Sequence, residues 1–433
     1  MKENGTNLVS DALDTPSRPN RWALWFSNPW FLSVWCTVSA FGAYGCMYGL
    51  RKPFTAGVYA SPPFTEGIKT WLVLAQVLGY TTSKFIGIRI ISEMEPTRRV
   101  RVLFGLVGLA LLALLAFAVV PTPFKPACLF FNGLPLGLVY GLVLGFLEGR
   151  RLTEAFVAGL CASFILADGL TKSVGANLLQ RGVPETWMPF VGGLLFLMPL
   201  IAFVLMLQEI PPPSDADILA RNERTPMRWR DQREFFLRHA PGLSGLLLMY
   251  LLVTILRSLR ADFAPELWAG LGMPSTPTVF TRSELWVAFG VLGLHASLVG
   301  ITHNRRAFLV GIGLSLMGMA TLATALTLIA GGWIAPFTFM VLTGIGLYLP
   351  YVAAHTTLFE RMMAMTRDRG NIGFLMYLAD ATGYLGYAGV MMVRQFGNIH
   401  SDVVAWFIDI GWVVALGSMM GLLGSLWFYV RRR

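Results

Sequence analysis

Two fixed positive charges, Arg51 and Lys52, follow a stretch that carries no charge from Trp22 to Leu50, and the next charged residue is Glu66. A charge inside an apolar, membrane-length segment is costly and marks a substrate or ion pathway. An adjacent arginine and lysine suit an anion, because a guanidinium bonds carboxylate or phosphate oxygens in pairs. Arg257 stands in the same kind of setting, after Leu251-Leu252-Val253-Thr254-Ile255-Leu256, and Lys84 lies within Gly79-Tyr80-Thr81-Thr82-Ser83-Lys84-Phe85. Asp168 and Lys172 are one helical turn apart and can pair on one face. Asp380 lies in a similar apolar segment, and His355 follows Tyr348-Leu349-Pro350. Tyr48, one turn before Arg51, offers a phenolic donor to an anion.

Each of these residues has a second reading. Arg51 and Lys52 can snorkel to headgroups. Arg257 can pair with Asp262 or meet a headgroup, and Arg260 is the better headgroup residue. Lys84 can be neutralised by Asp168 or Asp380. Asp168 and Asp380 either relay protons or neutralise Lys172 and Lys84, and neutralisation weighs slightly more because cations outnumber acids in the apolar segments. His355 can bind substrate or make a helix-packing hydrogen bond. Tyr44, Tyr80, Tyr140, Tyr348, Tyr351, Tyr377, Tyr384 and Tyr387 read mostly as packing residues, with some as donors. No Gly-rich phosphate loop, metal-ligand cluster or nucleophile–base set stands out, so neither a cofactor nor an enzymatic activity is expected. Cys36, Cys46, Cys128 and Cys161 lie in apolar segments and read as small packing residues.

The elements that position these residues follow from composition. The 433 residues are 55% hydrophobic and 13% charged, with mean hydropathy +0.60. Apolar runs of membrane-spanning length recur throughout, at 30–59, 69–91, 100–120, 127–147, 154–178, 187–207, 241–261, 283–302, 306–330, 334–358, 371–393 and 403–429. This is an all-α polytopic membrane protein with twelve transmembrane helices. The +10 net charge suggests nucleic acid at first sight, but its distribution assigns it to orientation. Most of the 34 Lys and Arg fall in the N-terminal tail, in loops after even-numbered spans, in the linker (Arg221 to Arg238) and at Arg431 to Arg433. The positive-inside rule then puts both termini in the cytoplasm. The expected setting is a bacterial inner membrane, with a monomer in the lipid bilayer, a small anionic substrate and no nucleic-acid partner. Residues 1–20 are polar and the first apolar stretch is a full span, so it is expected to serve as an uncleaved insertion signal.

The polar stretch 208–240, opening with Pro211-Pro212-Pro213, divides the chain. The expected organisation is a cytoplasmic tail and interfacial segment (1–29), a six-helix bundle (30–207), a cytoplasmic linker (208–240) and a second six-helix bundle (241–433). The halves repeat. Arg257 follows Arg51 by 206 residues, and Arg305-Arg306 follow Arg98-Arg99 by 207. Glu360 follows Glu148, and Asp380 follows Asp168, both by 212. Four matches in order, at nearly constant offset, predict two pseudo-symmetric six-helix bundles around a midplane site, the major facilitator fold. Rocking of these bundles would be coupled or gated through Asp168, Asp380, Glu148 and Glu360.

Several of these motifs carry a resemblance. Tyr48-x-x-Arg51-Lys52-x-Phe54 and Ser83-Lys84-Phe85-x-Gly87 resemble the first- and second-span motifs of the organophosphate:inorganic phosphate antiporter family, which includes glycerol-3-phosphate and hexose-phosphate transporters. The seventh span is similar through Arg257, Asp262, Phe263 and Pro265, and the tenth through Gly346-x-Tyr348-x-Pro350 and Glu360. The resemblance implies that Arg51 and Arg257 clasp a phosphate, with Lys84 nearby and Lys52 accessory. Lys172, before Ser173-Val174-Gly175, stands where that family has a histidine, and Asp168 is a further change. Ile91-Ser92-Glu93-Met94-Glu95 replaces the family's loop signature. The leading expectation is exchange of an organophosphate for inorganic phosphate. The alternatives are proton-coupled symport of an organic anion and a membrane anion sensor that does not transport.

Overall fold

The computed structural model describes residues 23–64, 67–92, 94, 96–147, 150, 153–214, 217, 229–274, 276–299, 301–366, 372–397 and 402–431. Twelve long helices account for most of them. The first half holds α1 (Pro29–Arg51), α2 (Ile68–Ser92), α3 (Pro96–Val119), α4 (Lys125–Leu147), α5 (Thr153–Gln180) and α6 (Met188–Gln208). The second holds α7 (Trp229–Asp262), α8 (Pro277–Val299), α9 (Asn304–Ala330), α10 (Pro336–Ala353), α11 (Ile372–Phe396) and α12 (Val403–Arg431).

Local sequence sets the ends. The Asn28 side chain accepts from the Trp30 amide at 3.0 Å, and Pro29 takes the first helical position of α1, where its missing N–H costs nothing. α1 ends at Arg51, two residues before Pro53, which has no N–H to continue the helical hydrogen bonding. The expected first span, 30–59, therefore ends early, and Pro53–Ala56 form a single 3₁₀ turn. At the other boundary, α7 begins at Trp229, well inside the 208–240 stretch.

Eight helices are apolar and long enough by composition alone to cross a membrane: α1, α3, α4, α6, α7, α9, α10 and α12, the last turns beyond α10 included. The other four, α2, α5, α8 and α11, have the length but carry Lys84, the Asp168–Lys172 pair, Glu284 and Asp380. At about 1.5 Å rise per residue, each of them still exceeds a hydrocarbon core of about 30 Å. They hold matching ranks in the two halves, and they form the seam: α5 lies along α8, and α2 along α11. Leu109, Leu112, Met198, Val413 and Met420 are exposed on outer helices, as expected where the solvent is lipid.

The halves are built alike. In the first, α1 packs on α5 and α6, and α4 packs on α2 and α3. In the second, α7 packs on α11 and α12, and α10 packs on α8 and α9. Close approach depends on glycine. A Cβ on Gly133 of α4 would lie 2.3 Å from the Gln76 carbonyl of α2, and one on Gly318 of α9 would lie 2.7 Å from the Gly346 carbonyl of α10. Without a hydrophobic drive in lipid, such backbone contact is a main source of helix association.

Candidate functional site

The C-terminus of α1 stops inside the protein, where its last carbonyls need partners. The Asn132 amide of α4 donates to Leu50 O at 3.2 Å and to Ala110 O at 3.1 Å. The Gln76 amide of α2 donates to Arg51 O at 2.9 Å and to Asn132 Oδ1 at 2.8 Å. Thr55 Oγ1 donates to Lys52 O at 2.8 Å, and Lys69 Nζ to Thr55 O at 3.1 Å. This polar clip fixes the backbone that presents Arg51 and Lys52.

Arg51 is 2% exposed. Its guanidinium lies 3.8 Å from the Tyr80 ring centroid, with Tyr48 at 5.8 Å and Tyr384 at 5.9 Å. Arg257, 6% exposed, lies 4.3 Å from the Tyr351 ring and 5.8 Å from Tyr348. Ring faces attract both cations, but among the described residues neither has a carboxylate partner. Arg51 Nε and Nη1 and Arg257 Nε meet no hydrogen-bond partner among the described residues. A buried polar group left unmade costs about 1–3 kcal/mol, more for a charged one. Two such arginines at one place leave positive charge and unused donors side by side.

The neighbouring buried cations are all compensated. Lys52, just after α1, pairs with Asp262 of α7, whose other oxygen accepts from Tyr387 Oη at 3.0 Å. Lys69 of α2 pairs with Glu266, on the short helix Ala264–Gly270 that follows α7. Lys84 of α2 meets Asp380 of α11 at 3.0 Å. Lys172 pairs with Asp168 within α5. Arg260 meets Glu284 at 2.8 Å and Met340 O at 2.9 Å. The first three pairs cross from one half to the other.

Arg51 and Arg257 line one small cavity at the junction of the halves, with Tyr48, Lys52, Val77, Asp168, Ser258, Ala261, Asp262, Tyr348 and Tyr384. It holds about 10 Å³, room for about one water. A second polar cluster lies alongside. Tyr250 Oη donates to Asp380 and sits 3.4 Å from His355 Nε2. His355 belongs to a π-helical turn, Ala354–Leu358, that continues α10. Such turns occur often at functional sites.

The structure thus brings Tyr48, Arg51, Lys52, Asp168 and Arg257 to one cavity. Lys84, Asp380 and His355 belong to the second cluster, and Lys172 lies one turn behind Asp168. Glu360, half-buried just after the π turn, lines no part of the cavity, and Glu148 lies outside the described residues. Three of the second readings differ from the observed contacts. Arg51 and Lys52 are buried, because α1 ends against Gln76 and Asn132 inside the protein. Asp262 faces Lys52, which leaves Arg257 without it. Arg260 is 3% exposed, because Glu284 of α8 packs beside it. Sequence reasoning passed over Tyr250, although it precedes Arg257 by the same seven residues that separate Tyr44 from Arg51. Nothing in the spacing of Lys69, Glu266 and Glu284 pointed to their pairings.

The model of a family described as a family of unknown function, DUF5690, matches residues 53–433. Among solved structures, a crystal structure of a D-xylose-proton symporter matches with a TM-score of 0.58 at 13% identity, covering 91% of this chain and 97% of that one. The likeness is one of fold, the major facilitator fold of two six-helix bundles. No curated protein matches the sequence.

Proposed function

The chain belongs to the DUF5690 family, and we propose that it is a secondary active transporter of a small organic anion, an organophosphate exchanged for inorganic phosphate by alternating access. One observation carries this reading. Two buried guanidiniums without carboxylate partners, one from each half, line the same cavity at the junction. The first- and seventh-span motifs around them resemble those of organophosphate antiporters, in which such arginines clasp phosphate. The protein is placed in this reading as a monomer in a bacterial inner membrane, with the basic termini and linker in the cytoplasm.

The chemistry of exchange follows from charge. A dianion between Arg51 and Arg257 makes charge-assisted bonds in a site closed to water, so it leaves slowly unless a second anion replaces it. Lys52–Asp262 and Lys69–Glu266 join the halves at the end opposite the linker. Opening that end requires both pairs to separate, and anion binding between the halves offsets part of that cost. Counterflow in proteoliposomes tests the reading. Vesicles loaded with phosphate are expected to take up labelled phosphate or an organophosphate. Full exchange in Arg51→Ala and Arg257→Ala would overturn it.

A second reading, proton-coupled symport of an organic anion, is favoured by the cluster of Lys84, Asp380, Tyr250 and His355 across the seam. An acid that exchanges one cationic partner for a proton is a means of coupling. It requires uptake driven by a pH gradient, abolished in Asp380→Asn, with no dependence on internal phosphate.

A further inference from the structure

The groups lining the central cavity with unused hydrogen-bonding capacity are not all of one kind. Arg51 and Arg257 offer donors. Asp168 offers an acceptor. Its Oδ2 is held by Lys172, while Oδ1, on a residue 3% exposed, meets no partner among the described residues. Lys172 is itself 1% exposed, so it fixes the carboxylate from behind and leaves one oxygen for the cavity that Asp168 lines.

An ionised carboxylate only accepts hydrogen bonds. A fully deprotonated oxyanion drawn in by the two guanidiniums has nothing to give Asp168 and meets it as a like charge. An oxyanion that keeps a proton on one oxygen satisfies all three groups together. We propose that Asp168 is the specificity-determining residue of the anion site, selecting a tetrahedral oxyanion with an acidic hydroxyl, hydrogen phosphate, over sulfate. The assignment rests on the anion site proposed above. Phosphate and sulfate share shape and nearly share size, so an arginine clasp alone separates them poorly. Near neutral pH phosphate retains a proton and sulfate does not. A phosphate monoester presents the same hydroxyl in its monoanionic form.

Sites built to bond a substrate hydroxyl reject an analogue lacking it by up to about 10⁴-fold or more. In isothermal titrations of the purified full-length protein at pH 7 and constant ionic strength, phosphate is expected to bind at least about 100-fold more tightly than sulfate. Arsenate, which keeps a proton, is expected to group with phosphate, and selenate, which does not, with sulfate. Asp168→Asn is expected to lower the phosphate-to-sulfate ratio below about tenfold, mainly by gaining sulfate, because an amide also donates. Asp168→Asn with Lys172→Gln makes the same comparison without an unpaired lysine. Equal wild-type affinity for phosphate and sulfate overturns the assignment and leaves the anion site standing, as does a ratio that survives in both variants. Failure of all four anions to bind, or binding unchanged in Arg51→Ala and Arg257→Ala, overturns the anion site itself and the assignment with it. The arsenate and selenate comparison needs only the wild type, so a variant that does not fold leaves the test intact.

Discussion

The seam between the halves holds its buried cations in two ways. Toward the end opposite the linker, Lys52, Lys69 and Arg260 each lie against a carboxylate. At the cavity, Arg51 and Arg257 lie against the faces of Tyr80 and Tyr351. A carboxylate neutralises a cation and takes up its donors. A ring stabilises a cation from one side and leaves the N–H edge of a guanidinium free. The first arrangement balances its charge within the protein, while the second leaves two guanidiniums that the proposed anion would balance. The residue types follow this division. Of the five paired cations four are lysines, two of which, Lys69 and Lys84, also lie near aromatic rings, whereas both cavity cations faced by rings without a carboxylate are arginines, whose planar fork can stack and bond together.

The largest test of this contrast removes a partner at the mouth. Asp262→Ala leaves Lys52 buried and uncompensated, and breaking such a pair costs about 3–5 kcal/mol. A clear fall in the thermal unfolding midpoint is expected, with most of it recovered by Lys52→Met combined with Asp262→Leu. A neutral single variant would place Lys52 in the same class as Arg51. The next test removes a cavity arginine. Arg257→Ala is expected to weaken phosphate affinity by about 100-fold, the loss of charge-assisted bonds worth about 2.7 kcal/mol. Its unfolding midpoint stays the same or rises, because no carboxylate is orphaned. Arg257→Lys restores the charge but not the fork, so affinity recovers in part. A midpoint that falls as far as in Asp262→Ala would show a hidden partner and end the distinction.

Much of this contrast is present in the sequence, and the missing part has one cause. The cavity arginines are legible because a charge in a long apolar run has few explanations and because Arg257 repeats Arg51. The fold is legible for the same reason: the repeat fixes two halves and span length fixes their helices. The Asp168–Lys172 pair is local, one turn apart, and can be read directly. Pairings across the seam cannot, since they depend on how the halves dock. Lys84 had two candidate acids, and only the packing of α2 on α11 selects Asp380. Lys69 and Glu266 are 197 residues apart. Arg260, four residues before the short helix Ala264–Gly270, reads as a headgroup residue until α8 places Glu284 against it.

Smaller changes probe the ring faces against the carboxylates. Tyr80→Leu removes the nearest ring from Arg51 while leaving its charge, and a desolvated cation–π contact is worth about 2 kcal/mol. Part of that loss falls on the folded state and part on the liganded one, so phosphate affinity is expected to weaken about three- to tenfold. Tyr387→Phe acts on the other side of the comparison. It deletes one donor to Asp262 Oδ2 and leaves Lys52 in place on Oδ1. A single hydrogen bond to a carboxylate contributes about 1.5–3 kcal/mol at most, and here the acid keeps its principal partner, so about 1 kcal/mol or less in unfolding free energy is expected. Phosphate affinity, read by the same titration, should not change. If it falls as far in Tyr387→Phe as in Tyr80→Leu, then Lys52 and Asp262, which already line the cavity, must be counted among the groups that hold the anion.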